Sequence, residues 1–152
     1  VQFSMLLEYM AARIGVEPGA YRQMSDSFHA YVDTWEKIKD IDKRFAGDPY
    51  ESGEVSVYQL VAHPESFDAE LSRWIESAPD QLTFAQWEAD VGTWSNPYFP
   101  RVATPIHNAW FAYKRKDRGA ATQWLERCAA TDWRRAAVEW LDRRKKEAGR
   151  ER

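Results

Sequence analysis

Phe3, Leu6, Leu7, Met10 and Ile14 recur at helical spacing over residues 1–14, and Met5, Tyr9, Ala11 and Ala12 widen the stripe. The pattern predicts a helix buried nearly all round. Gly15 is a natural stop in the left-handed conformation, and Pro18-Gly19 then turns the chain. Over residues 21–32 the period changes to two. Gln23, Ser25, Ser27, His29 and Tyr31 share one face, while Met24, Phe28, Ala30 and Val32 share the other, with Asp26 the exception there. Such alternation predicts a strand with a polar outer face.

Helical spacing dominates the rest of the chain. Asp33-Thr34 is expected to cap a helix with Trp35, Ile38 and Ile41 on its apolar side. Residues 47–53 read as a loop, and the Val- and Tyr-rich residues 54–61 as a second strand. His63-Pro64-Glu65-Ser66 opens a helix with Phe67, Leu71, Trp74 and Ile75 inward, since Pro suits a first turn and acid favours its positive end. Thr83 is placed to cap a helix bearing Phe84, Trp87 and Val91. Three prolines within residues 97–105 oppose regular structure and mark a boundary. Three helical stripes follow: Ile106, Ala109, Trp110 and Tyr113; then Ala121, Trp124, Leu125 and Cys128; then Trp133, Ala137, Trp140 and Leu141. Gly119 and Thr131-Asp132 punctuate them, which predicts a small antiparallel helical array. The division expected is residues 1–95 and a helical extension over 96–152.

Composition narrows the class. At 152 residues, 44% hydrophobic and 30% charged, the chain can enclose one sizeable core. Eight Trp residues bring large apolar area and N–H groups that need partners, so Trp-rich stretches are expected to pack. A net charge of −3 does not favour general nucleic-acid binding, and no apolar run reaches the length of a membrane span. Cys128, the single cysteine, excludes an intrachain disulfide; on a helical stripe it reads as a small buried hydrophobe rather than a nucleophile. His63 and His107 lack a second ligand at useful spacing, so no metal site is expected. Glu65 and Asp68 suit a helix start, and Arg143-Arg144-Lys145-Lys146 a solvated helix end.

The polar face of residues 21–32 carries the candidate chemistry. His29 and Tyr31, two positions apart on a strand, would offer an imidazole and a phenol able to hydrogen-bond a sugar hydroxyl. An ordinary half-exposed strand has the same alternation, and by pattern alone that reading leads.

The order of elements shifts the balance. A long apolar helix, then Gly15-Val16-Glu17-Pro18-Gly19, then His29-Ala30-Tyr31 resembles the thymidylate synthase family, where a buried helix ending in Gly-Leu-x-Pro-Gly leads into a strand bearing His-x-Tyr. The match covers roughly the first 35 residues and is specific as a combination. It resembles in particular the divergent synthase-like proteins of bacterial viruses. Asp26-Ser27-Phe28 stands where the family usually has Gly-Asp-Ala, and Asp33-Thr34 where it has Asn-His.

The resemblance implies that His29 and Tyr31 contact the ribose of a pyrimidine deoxynucleotide. The family's nucleophilic Cys, phosphate-binding Arg residues and uracil-reading Asn precede this helix, so the chain is expected to be the carboxy-terminal portion of a longer enzyme, without catalytic residues of its own. The implied fold is α+β, predominantly helical, with one or two sheet strands and a helical appendage. The implied reaction moves one carbon from 5,10-methylenetetrahydrofolate to C5 of a dUMP-like nucleotide in a cytoplasmic homodimer. The competing class is a non-catalytic helical interaction module, centred on residues 101–147, on a synthase-like scaffold.

Overall fold

A computed structural model describes residues 2–22, 31–39, 49–77 and 82–150. Seven α-helices are described: α1 (Gln2–Ile14), α2 (Val32–Ile38), α3 (Pro64–Ser77), α4 (Phe84–Asp90), α5 (Thr104–Lys114), α6 (Arg118–Glu126) and α7 (Thr131–Arg150). Among the described residues there is no strand. The strand expected over 54–61 is irregular backbone: Ser56 is held by the Thr131 hydroxyl at 2.8 Å, and Leu60 by the Glu8 carboxylate at 2.5 Å. Two of its N–H groups are thus taken by side chains and that of Val55 by the Pro49 carbonyl, rather than by a neighbouring strand. Most of the strand expected over 21–32 lies outside the described residues, but its end does not. Val32 already belongs to α2, and Tyr31 precedes it in extended conformation. The cap of α2, Tyr31, therefore falls two residues before the expected Asp33, and Asp33 sits in the first turn instead.

Other local signals act as read. Thr83 caps α4 through a capping box in which its hydroxyl accepts from the Gln86 N–H at 3.3 Å and Gln86 Oε1 accepts from the Thr83 N–H at 2.8 Å. Pro64 opens α3. Gly15, at φ +72°, ends α1 in a Schellman turn, with the Val16 N–H reaching the Ala11 carbonyl at 3.0 Å. Gly119, expected as a stop, instead lies inside α6, whose start is capped by the Asp117 carboxylate on the Ala120 N–H at 2.9 Å.

The proline-rich boundary is the largest local departure. Phe99–Ala103 forms a π-helical turn that runs directly into α5. Pro100 and Pro105 each occupy the first turn of the segment they open, where a missing N–H breaks no bond.

Three apolar clusters make the core. Leu60, Val61, Phe67 and Phe99 form one, with Met5, Tyr9 and Trp94 around them. Val102, Cys128 and Ala130 form a second with Tyr58 and Tyr98, and Ala109, Trp124 and Leu125 form a third with Phe84 and Trp87. Each cluster joins residues from both sides of position 95. Burying a ring such as Phe67 or Phe99 contributes about 2–3 kcal/mol.

The second predicted stripe is buried throughout: Ala121, Trp124, Leu125 and Cys128. On α5 the buried face is rotated from the expected one. Thr104, Pro105, Asn108, Ala109 and Ala112 turn inward, largely against α6, and Trp110 is 47% exposed. Helix α1 departs furthest. Its Ala11 is buried and Met5, Tyr9 and Ala12 meet the Phe67 cluster, but Phe3, Leu6, Met10 and Ile14 are exposed, Ile14 by 73%. Among the described residues, nothing covers that second side, so burial all round is not attained.

Candidate functional site

The two residues singled out in the sequence cannot be viewed together: His29 lies outside the described residues. Tyr31 stands at φ −67°, ψ 140° immediately before α2 and is 77% exposed. Its ring is not sealed under aliphatic neighbours. Trp35, one helical turn on, is also exposed.

Upstream, α1 is anchored by polar contacts along one side. Glu8 accepts from the Leu60 N–H, Tyr9 Oη donates to Asp68 Oδ1 at 2.8 Å, and Arg13 Nη1 donates to the Pro64 carbonyl at 2.7 Å. The Asp68 hydrogen bond raises the Tyr9 pKa, since the phenol proton is shared with a carboxylate. Asp68 thus docks α1 onto α3, while Glu65 faces His63 at 3.5 Å, so the two acids do not form a pair.

Beside this seam runs an apolar groove of about 560 Å³ between α1, α3, α5 and the start of α7. Its walls include Leu6, Leu71, Trp74, His107, Trp110 and Trp133. Trp74 is fixed by its N–H on the Thr104 hydroxyl at 3.0 Å, and His107 meets its ring edge-on at 5.6 Å between centroids. The groove can take flat apolar surface.

Comparison with known proteins supplies the context. No family model and no solved structure matches the chain. Deoxyuridylate hydroxymethyltransferase of Pseudomonas phage M6 is 37% identical over 158 aligned positions, covering 95% of this chain and 42% of that protein. The enzyme of the same name from Bacillus phage SP01 is 41% identical over 59, covering 38% of this chain and 15% of its own length. A Methanosarcina acetivorans protein provisionally named a thymidylate synthase is 48% identical over 40, covering 26% of this chain and 18% of its own length. The chain is a relative of the thymidylate synthase family. It spans about two fifths of the length of its phage M6 relative.

Within this thymidylate synthase relative, Cys128 is not placed for attack. It is 1% exposed, its thiol lies 3.7 Å from the Ala130 carbonyl, and burial pushes its pKa up, so the thiolate is disfavoured. Arg143 and Arg144 are exposed near the end of α7, Arg144 lying 5.5 Å over the Trp140 ring, as a solvated helix end would have them. Among the described residues no group of His, Cys, Asp and Glu is gathered for a metal, and no helix is long and apolar enough to cross a membrane.

Sequence reasoning missed a densely hydrogen-bonded buried polar centre among the described residues. Asn96, fully buried, accepts on Oδ1 from the Ala62 and His63 N–H groups at 3.1 and 2.8 Å. The two hydrogens of its Nδ2 are shared among three acceptors within reach, the His63 carbonyl, Ser66 Oγ and Glu70 Oε2. Asn96 holds the start of α3 to the π-helical turn. The available signal was Asn-Pro at the head of a proline cluster, which reads first as a turn.

Proposed function

We propose that this chain is part of a thymidylate synthase-like enzyme that transfers a one-carbon unit to C5 of a pyrimidine deoxynucleotide, with hydroxymethylation the favoured outcome. One observation carries the reading: nearly the whole chain aligns, at 37% identity, with a protein named as a deoxyuridylate hydroxymethyltransferase. The SP01 relative bears the same name.

In this reading residues 1–95 form the nucleotide-binding portion and 96–152 a helical extension. The ribose 3′-hydroxyl is held by His29 and Tyr31, which orient the sugar without entering bond chemistry. The 77% exposure of Tyr31 is consistent with this reading. The thiolate that attacks C6 comes from outside this chain, because Cys128 is buried and its pKa is raised. The working form is a homodimer.

A folate is the one-carbon donor in the family that the chain resembles. The described groove does not fit its pterin. Its aromatic walls suit a flat ring, but among the described lining residues the polar side-chain groups are few: the Tyr98 hydroxyl, the His107 imidazole and the indole N–H groups of Trp110 and Trp133, that of Trp74 being taken by Thr104. A pterin buried there would leave most of its donors and acceptors unpaired. No step is therefore assigned between this chain and the folate.

The test is to incubate the full-length protein carrying these residues with deoxyuridylate and methylenetetrahydrofolate, and to identify the product by mass. A gain of one hydroxymethyl group is expected. A gain of one methyl group would leave the family reading in place and overturn the preference for hydroxymethylation. No turnover of deoxyuridylate or deoxycytidylate would overturn the proposal.

A second reading, a helical interaction module, is favoured by one feature: Trp110 and Trp133 line the groove while 47% and 37% exposed.

A further inference from the structure

A second cavity, of about 330 Å³, opens between α1, the irregular segment 57–60 and the start of α7. Four of its lining side chains are aromatic, Tyr50, Tyr58, Tyr98 and Trp133, and two are charged, Glu8 and Asp132. Both charges are negative, and among the described residues no Lys, Arg or His lines the cavity.

The two carboxylates are held in place without being neutralised. Glu8 Oε1 accepts from the Leu60 N–H at 2.5 Å. Asp132 Oδ2 accepts from Tyr50 Oη at 3.1 Å, and Oδ1 from the Trp133 N–H at 2.8 Å. Among the described residues neither is in an ion pair. Burial keeps the Tyr98 phenol protonated, with its pKa pushed up to about 12, and raises that of Tyr58 as well. Among the described lining residues the aromatic rings are thus neutral and the charged groups are both acidic. Arg101 acts on Tyr58 from outside the lining.

We propose that this cavity binds a small organic ammonium ion, its positive charge drawn by Glu8 and Asp132 together with the aromatic rings of Tyr58, Tyr98 and Trp133. Aromatic faces attract a cation through their quadrupole, and more strongly where water is excluded. Fixed carboxylates supply the opposite charge without first having to reorganise. An anion such as a nucleotide phosphate meets two like charges there, so this site is separate from the proposed nucleotide contact. The inference does not rest on the synthase reading.

The test is calorimetric titration of the full-length protein carrying this chain with n-butylammonium chloride at constant ionic strength, against n-butanol as the neutral counterpart and sodium chloride as the salt control. Saturable ammonium binding is expected, about ten-fold tighter than n-butanol. Glu8→Gln and Asp132→Asn keep an oxygen acceptor for Leu60 and Tyr50, so the fold is retained while the charge is lost; each weakens ammonium binding about five-fold or more. Trp133→Leu, which keeps apolar bulk on a partly exposed side chain, weakens it about three-fold and serves if a carboxamide variant does not fold. Absence of saturable heat, equal affinity for n-butanol, or unchanged affinity in folded variants overturns the proposal.

Discussion

The Glu70 carboxylate grips Asn96 twice through one oxygen: Oε2 accepts from the Asn96 N–H at 2.8 Å and from Nδ2 at 2.9 Å, while Oε1 accepts from the Ser95 N–H at 2.7 Å. The residues are 26 positions apart, and the contact joins α3 to the turn that launches α5. Removing Asn96 orphans the Ala62 and His63 N–H groups at the start of α3. Asn96→Ala is expected to cost about 2–4 kcal/mol, read from urea unfolding midpoints at unchanged slope. A loss under about 0.5 kcal/mol would show that the hub is not a stability element.

Glu70 also sets a pH dependence. Partial burial acts to raise its pKa, but hydrogen bonds from Asn96 and Ser95 outweigh that, and the net shift is downward from 4.5. A depressed carboxylate binds protons more weakly folded than unfolded. Its stabilisation is present above 4.5 and is lost as pH falls through the lower folded value. Thermal melts should therefore show stability declining as pH falls from 4.5 through that lower value. Glu70→Gln should be less stable at neutral pH, with a shallower acid decline. An identical acid slope in the two proteins would exclude Glu70 as the source.

Asn108 is the opposite case. It is 3% exposed on the buried face of α5, and neither its Oδ1 nor its Nδ2 has a hydrogen-bond partner among the described residues. An unpaired buried amide costs about 1–3 kcal/mol. Asn108→Leu, close in size, is expected to raise the melting temperature by about 2–5 °C. A lowered melting temperature would mean that the amide has a partner in solution.

The proposed sugar contact makes a binding prediction. In the full-length protein, His29→Ala or Tyr31→Phe should each weaken deoxyuridylate binding about five-fold, equivalent to about 1 kcal/mol for one lost hydrogen bond. Equilibrium dialysis with the labelled nucleotide measures it. Unchanged affinity in both variants would remove these residues from the site.

Local signals were legible where a few neighbouring residues settle the outcome. Thr83 with Gln86, Pro64 and Gly15 act within one helical turn of themselves, so their types alone place helix ends. The same logic failed at Lys116, which takes φ +66° and closes α5 with the Schellman bonds that Gly15 provides for α1. The Asp117 N–H reaches the Ala112 carbonyl there at 2.9 Å. A lysine gives no hint of left-handed backbone, and packing of α5 on α6 requires the turn regardless. The family relationship was legible from the order of helix, Pro-Gly turn and His-x-Tyr, which needs no coordinates.

Spacing along the chain could place helices and list their apolar residues, because periodicity is a property of each segment alone. It could not say which side of α1 meets a neighbour, why α5 turns Asn108 inward and Trp110 outward, or that Asn96 would be sealed between Glu70 and the start of α3. Those outcomes depend on residues tens of positions away. A helix with apolar groups on every side buries whichever face a partner reaches, and a turn residue becomes a hub when distant donors converge on it.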